Sequence, residues 1–221
     1  MPAILQVSEV FDSIQGEGQE TGYQTTFLRL AGCNLSCVWC DTKYAQTGGQ
    51  ETDIPSIVAK CGPRVCITGG EPLTQDIEHL VVALTQGHSI AVETNGSIMP
   101  PEWARNRTVG AYSATGGMLW SVAPKFGSSG ETPDVVTLQA FAHLPRVQFK
   151  FVVSGEDDWQ EAQALARQIN VRDNPVFVVP NGQDAVELTR HFWDRMGEWS
   201  WCDARLTPQL HVLVWGQERC R

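Results

Sequence analysis

Thr25–Thr42 reads TTFLRLAGCNLSCVWCDT, and its two halves together decide the fold. Thr25–Ala31 is a short apolar-rich run that reads as a strand. The loop after it sets Cys33, Cys37 and Cys40 in a C-x3-C-x2-C spacing. Thiolates are soft, charged donors that suit iron–sulfur clusters, and this spacing lets one loop wrap three corners of a cubane. A closed structural cluster or zinc site asks for four protein ligands. No fourth cysteine lies close in sequence, so one iron is left open to a small molecule. The competing readings are a zinc knuckle completed by Cys61, Cys66 or a histidine, and three buried structural thiols.

Outward from this stretch, short apolar runs alternate with amphipathic ones. Candidate strands are Gln6–Ser13, Thr25–Ala31, Val65–Thr68, Ser89–Glu93, Met118–Ser121, Val147–Val153, Val176–Val179 and Leu210–Trp215. Several lack strict polar alternation, which suits strands buried on both faces of a parallel sheet. Between them, Asp158–Asn170 places Trp159, Ala162, Leu165 and Ile169 at helical spacing, and Asp158 with Glu161 resembles a capping box. Gln75–Gln86 and Asp184–Arg195 read similarly. The order predicts an α/β fold with helices outside a mostly parallel sheet, and ligands at the C-terminal ends of its strands. Gly-rich turns stand at those ends: Ile67-Thr-Gly-Gly-Glu-Pro72, Glu93-Thr-Asn-Gly96, Ser121-Val-Ala-Pro-Lys125 and Pro180-Asn-Gly-Gln183.

The chain has 221 residues, of which 42% are apolar and 19% charged. That is enough for a sizeable core and fits a single domain over residues 1–221. A net charge of −9 disfavours nonspecific binding to nucleic acid or anionic lipid. The N-terminus has no basic stretch followed by a long apolar run, and no segment approaches membrane-spanning length. A cytoplasmic protein is expected. The seven cysteines are odd in number and three crowd together, which points to metal or redox chemistry rather than a disulfide framework.

The C-x3-C-x2-C loop after an N-terminal strand, with Gly69-Gly70-Glu71-Pro72 beyond it, resembles the radical S-adenosylmethionine (SAM) superfamily. Phe11-Asp-Ser-Ile-Gln-Gly-Glu-Gly18, Thr26-Phe-Leu-Arg-Leu-Ala-Gly-Cys33, Cys40-Asp-Thr42 and Gln209-Leu-His211 narrow the likeness. Through almost the whole chain the pattern is similar to the 7-carboxy-7-deazaguanine synthase (QueE) family. The resemblance implies a partial (β/α) barrel. It implies a 4Fe–4S cluster on Cys33, Cys37 and Cys40 whose open iron takes SAM, from which a 5′-deoxyadenosyl radical is made. It also implies a lyase that contracts the ring of 6-carboxy-5,6,7,8-tetrahydropterin, yielding 7-carboxy-7-deazaguanine and ammonia. Mg2+, an external flavodoxin-like electron donor and a homodimer are further implications.

The resemblance also assigns residues. SAM would meet Trp39, Gly70, Glu71, Gly96, Ser121, Lys125, Pro180, Asn181, Gly182 and Gln183. Substrate would meet Ile14, Gln15, Gly16, Glu17, Arg29, Thr94, His211 and the terminal Arg221. Mg2+ would sit on Thr42, although Asp41 is chemically the better ligand for a hard ion. The chemistry of these groups agrees. Glu17 can accept from the N–H and amino pair of a guanine-like edge, and Arg29 can bind a carboxylate bidentately. The bland alternatives are a surface salt bridge at Arg29, a satisfied core His211 and ordinary turns at the glycines. The Ser121–Lys125 stretch departs from the Ser-Pro-Lys expected of the family. Two other activities compete: a glycyl-radical activase acting on a protein, and a noncatalytic zinc-binding module.

Overall fold

The computed structural model describes residues 3–105, 118–181, 185–216 and 218. Among the described residues, nine strands form one sheet in the order β3-β1-β2-β4-β5-β6-β7-β8-β9. They are β1 (Ile4–Ile14), β2 (Gln24–Leu30), β3 (Gln50–Asp53), β4 (Arg64–Gly69), β5 (Ser89–Thr94), β6 (Leu119–Val122), β7 (Val147–Val153), β8 (Val176–Pro180) and β9 (Ala204–Leu206). β1 runs antiparallel to both β2 and β3, and every pairing from β2 to β9 is parallel. The sheet is therefore mostly parallel, and β3 and β9 are its edges, as a partial barrel requires.

The helices are α1 (Ile54–Val58), α2 (Glu78–Leu84), α3 (Glu102–Arg105), α4 (Val135–Ala142), α5 (Glu156–Gln168), α6 (Ala185–Trp193) and α7 (Leu210–Trp215). Successive strand side chains point to opposite faces. One set, including Ile67, Val92, Trp120, Phe149, Phe151 and Val178, joins Leu80, Leu138, Phe141, Trp159 and Phe192 of the helices in the main core. Trp159 stacks on Phe192 at 4.4 Å, which fastens α5 to α6.

The other face carries two rows in register. Phe11, Phe27, Cys66, Ala91 and Leu119 stand side by side across five strands and form a separate apolar cluster. Two residues further along the parallel strands the chemistry changes. Glu9 pairs with Arg29, Arg29 with Thr68, Glu93 with Ser121, and Ser121 with Gln148. Thr68 Oγ1 donates to Glu93 at 3.1 Å and completes the row. An apolar floor thus lies beneath a polar layer.

Three expectations from sequence are corrected. Leu210–Trp215 is helix α7, not a strand, because its backbone bonds locally: Leu213 N donates to Gln209 O and Gly216 N to Val212 O. Helix α5 starts at Glu156 with Gly155 as N-cap. Asp158 therefore lies inside its first turn and accepts from Ser154 N at 2.8 Å, instead of capping the helix itself. The helix read over Gln75–Gln86 begins only at Glu78. Gln75 instead donates to Gln6 O and Ala31 O and accepts from Gln6 N, bridging β1 to the end of β2.

Candidate active site

A cavity of about 480 Å³ opens above the polar layer, at the C-terminal ends of the parallel strands. Cys33, Cys37 and Cys40 all line it, and all three thiols are free. Their loop is fixed on two sides. Val38 N donates to Ser129 O at 2.9 Å, Ser36 N to Glu131 at 2.8 Å, and Trp39 Nε1 to Ser128 at 3.3 Å. On the loop's other side, Asn34 donates to Ser97 at 2.8 Å and accepts from Asn95 at 3.2 Å. Gly70 N donates to Leu30 O, and Glu71 N to Gly32 O. A β-carbon at Gly70 would lie 2.0 Å from Gly32 O, so only glycine lets this turn pass against the cysteine loop. The donor set fits a cluster with one open corner: three free thiols on one short loop line the cavity, and the Gly70 backbone passes against Gly32 and Cys33 beside them. Among the described residues no three His, Cys, Asp or Glu side chains close on a single ion position. A cubane takes its thiolates at separate corners and needs no such convergence.

The end of β1 and the loop after it also line the cavity, through Ile14, Gln15, Gly16 and Glu17, and Arg29 and Thr42 line it too. Glu17 accepts from Lys150 Nζ at 2.7 Å and from Gln209 Nε2 at 2.6 Å. Burial opposes its ionisation, but the Lys150 ammonium and the Gln209 bond outweigh it and hold the carboxyl at about 2. Lys150 reaches Glu93 as well, at 2.8 Å. Burial disfavours that ammonium, yet its two carboxylate neighbours hold its pKa above the ordinary lysine value. Arg29 Nε donates to Glu9 at 2.7 Å, and Tyr44 Oη donates to the same carboxylate oxygen, also at 2.7 Å. An ion pair is present, but it is largely buried and not the surface bridge of the bland reading, and the arginine also lines the cavity.

The remaining residues named from sequence fall into three groups. Trp39, Gly70, Thr94, Lys125, Asn181 and His211 line the cavity. Lys125 Nζ sits 5.5 Å above the Trp39 ring. Ser121, Glu71, Gly96 and Pro180 lie outside its lining. Ser121 is buried in β6 and accepts from Gln148 at 2.8 Å. Glu71 is fully buried, accepting from Thr94 Oγ1, Asn95 N and Leu73 N. Burial pushes its carboxyl up, against those bonds. Gly96 N turns back to Thr94 Oγ1 at 3.1 Å. Gly182, Gln183 and Arg221 lie outside the described residues. Thr42 Oγ1 lies 3.6 Å from Cys40 Sγ, and Asp41 lines the cavity beside it.

Sequence reasoning missed Lys150, Glu93 and Gln209 as cavity residues. The available signal was a charged residue in the otherwise apolar run Val147-Gln-Phe-Lys-Phe-Val-Val153, with Gln148 two positions before it. That spacing puts both on one strand face.

No family model matches the chain. A curated relative from Pyrobaculum aerophilum, named 7-carboxy-7-deazaguanine synthase, is 34% identical over 97% of this chain and 96% of its own length. Others from Methanospirillum hungatei and Halobacterium salinarum share that name, at 32% and 30% identity. Among solved structures, QueE from Escherichia coli superposes with a TM-score of 0.71 at 22% identity, over 94% of this chain and 95% of that one. That likeness supports the fold seen here, and the sequence relationship goes further: aligned nearly end to end with its Pyrobaculum relative, the chain belongs to the 7-carboxy-7-deazaguanine synthase family.

Proposed function

We propose that this chain is a radical SAM lyase that converts 6-carboxy-5,6,7,8-tetrahydropterin to 7-carboxy-7-deazaguanine with loss of ammonia, in 7-deazapurine (queuosine-type) biosynthesis. One observation carries the reading. In a chain of this family, Cys33, Cys37 and Cys40 line the same cavity as Gln15, Glu17 and Arg29.

In this reading Cys33, Cys37 and Cys40 would hold a 4Fe–4S cluster, and Gly70 would be among the residues that hold SAM. When bound, the two would supply the radical chemistry that acts at C6 of the pterin. The chain's own residues orient the reactants. Trp39, Lys125 and Asn181 flank the SAM side, while the buried Glu71 fixes the backbone of Leu73 and Asn95 around it. Glu17 accepts from the N–H and amino edge of the pterin, and Arg29 takes its carboxylate. His211 approaches from α7, and Thr94 from the end of β5. Thr42 is the proposed Mg2+ ligand, with Asp41 the neighbouring alternative.

The whole chain is proposed to act as one catalytic domain, served in the cytoplasm by a flavodoxin-like donor. No helix among the described residues is long and apolar enough to cross a membrane. A homodimer is proposed as well, and Trp193 and Val186 expose apolar surface on α6 for such a contact.

The test is anaerobic incubation of the cluster-reconstituted protein with SAM, a reductant, Mg2+ and the carboxy-tetrahydropterin, followed by mass spectrometry. Formation of the deazaguanine acid supports the reading. Cluster-loaded protein that leaves the pterin unchanged refutes it.

A further inference from the structure

Lys150 is a charged residue on a strand whose side chains are otherwise apolar or, at Gln148, neutral, and its side chain is only 5% exposed. Its ammonium lies between Glu17, at 2.7 Å, and Glu93, at 2.8 Å. Both carboxylates and the ammonium face the cavity. Two acids against one base leave this trio net negative, with His211 the further titratable group that faces Glu17. The other hydrogen-bond partners are neutral: Gln209 donates to Glu17, Thr68 to Glu93, and Gln15 to Glu93 at 3.5 Å. A carboxylate has about four lone-pair sites, so each keeps acceptor capacity toward the cavity after these bonds. Oxygen acceptors on a ligand are repelled there, and N–H donors are held.

We propose that Glu93 is a second substrate-contacting carboxylate beside Glu17, and that Lys150 is the positioning residue that keeps the two together. The pair selects a heterocycle with a 2-amino-4-oxo edge over one with a carbonyl in place of the amino group. This inference rests on the pterin reading above and adds to it the residues that discriminate. It also orients the ring. The donor edge faces Glu17 and Glu93, and the carboxylate turns to Arg29, which shares the polar row with Glu93 through Thr68.

The experiment uses the cluster-loaded protein with SAM bound, titrated by fluorescence with 6-carboxypterin and with its 2,4-dioxo counterpart. The unaltered protein is expected to favour the amino compound by at least about tenfold, the loss that follows an unmade charge-assisted hydrogen bond. Glu93→Gln keeps size and shape and is expected to cut that ratio by about threefold or more. Lys150→Met is expected to abolish the preference with cluster absorbance unchanged, and Lys150→Arg, which returns a cation, to restore part of it. Weakening of both ligands alike, with the ratio intact, marks Lys150 as merely structural and overturns the proposal. An unchanged ratio in Glu93→Gln does the same, and that variant decides alone if Lys150→Met loses its cluster. If the unaltered protein binds neither compound, it is the underlying pterin reading that has failed, and this inference falls with it.

Discussion

A β-carbon on Gly16 would lie 2.0 Å from Nδ1 of His211. The two residues are far apart in sequence, yet Leu210 N donates to Gly16 O at 3.0 Å and seats α7 on the loop after β1. Gly16→Ala should therefore push α7 and His211 away from the cavity. The expected result is a fall in kcat/KM for the pterin on the order of tenfold to a hundredfold, with iron content and SAM binding kept. Steady-state kinetics beside an iron assay reads both, and unaltered kinetics would show that α7 plays no part in turnover.

Arg29→Ala should weaken use of the carboxylated substrate by roughly tenfold to a hundredfold while sparing the visible absorbance of the cluster. Its partner Glu9 keeps the Tyr44 hydroxyl bond, which limits structural damage. Should the variant lose its cluster colour, Arg29 serves the fold and not the substrate.

The cysteines divide cleanly. Cys33→Ala, Cys37→Ala and Cys40→Ala should each abolish the broad visible absorbance of the anaerobic protein. Cys66→Ala should leave iron stoichiometry unchanged. Cys66 is wholly buried in the apolar floor, where desolvation pushes its thiol far above the ordinary range. Iron lost on changing Cys66 would contradict the ligand assignment.

Glu17 gives a pH prediction. Its carboxyl stands at about 2 in the folded chain against an ordinary 4.5. A depressed folded value adds stability at pH above the unfolded value, and that contribution is lost as pH falls from 4.5 toward 2. Acid unfolding should take up a proton over that window. Lys150→Met removes the main counterweight to burial, so Glu17 protonates at higher pH and the onset of acid unfolding moves up. Thermal midpoint against pH, followed by circular dichroism, measures the shift. An onset that stays put in the variant breaks the argument.

The parallel strands were legible because two-sided burial writes long Val, Ile and Phe runs into them. The edges were not. Gln50–Asp53 has no apolar residue, and Ala204–Leu206 is a three-residue strand whose central Arg205 is exposed. Both are short and pair mainly through backbone, with the bond from Gln6 to Glu51 and Arg205 over the Phe177 ring as their side-chain additions, too little to mark a strand in the sequence. Leu210–Trp215 failed for the opposite reason. A six-residue run carries too little period to separate helix from strand, and the local bonds from Leu213 N to Gln209 O and Gly216 N to Val212 O are what make it a helix. In the site, the cysteine loop and the Gln15–Glu17 turn announce themselves as motifs. Lys150 does not, because its partners Glu17 and Glu93 come from distant parts of the chain and meet only when the strands align.

The row that runs from Glu9 through Arg29, Thr68, Glu93 and Ser121 to Gln148 is built from strand residues whose neighbours along the chain point the other way, into the helices. Ligand preference and the helix-facing core are therefore written in alternate letters of the same strands. Redesign for a different heterocycle can change the polar row while the helix-facing residues keep their packing, although the apolar floor on the row's own face must be kept with it.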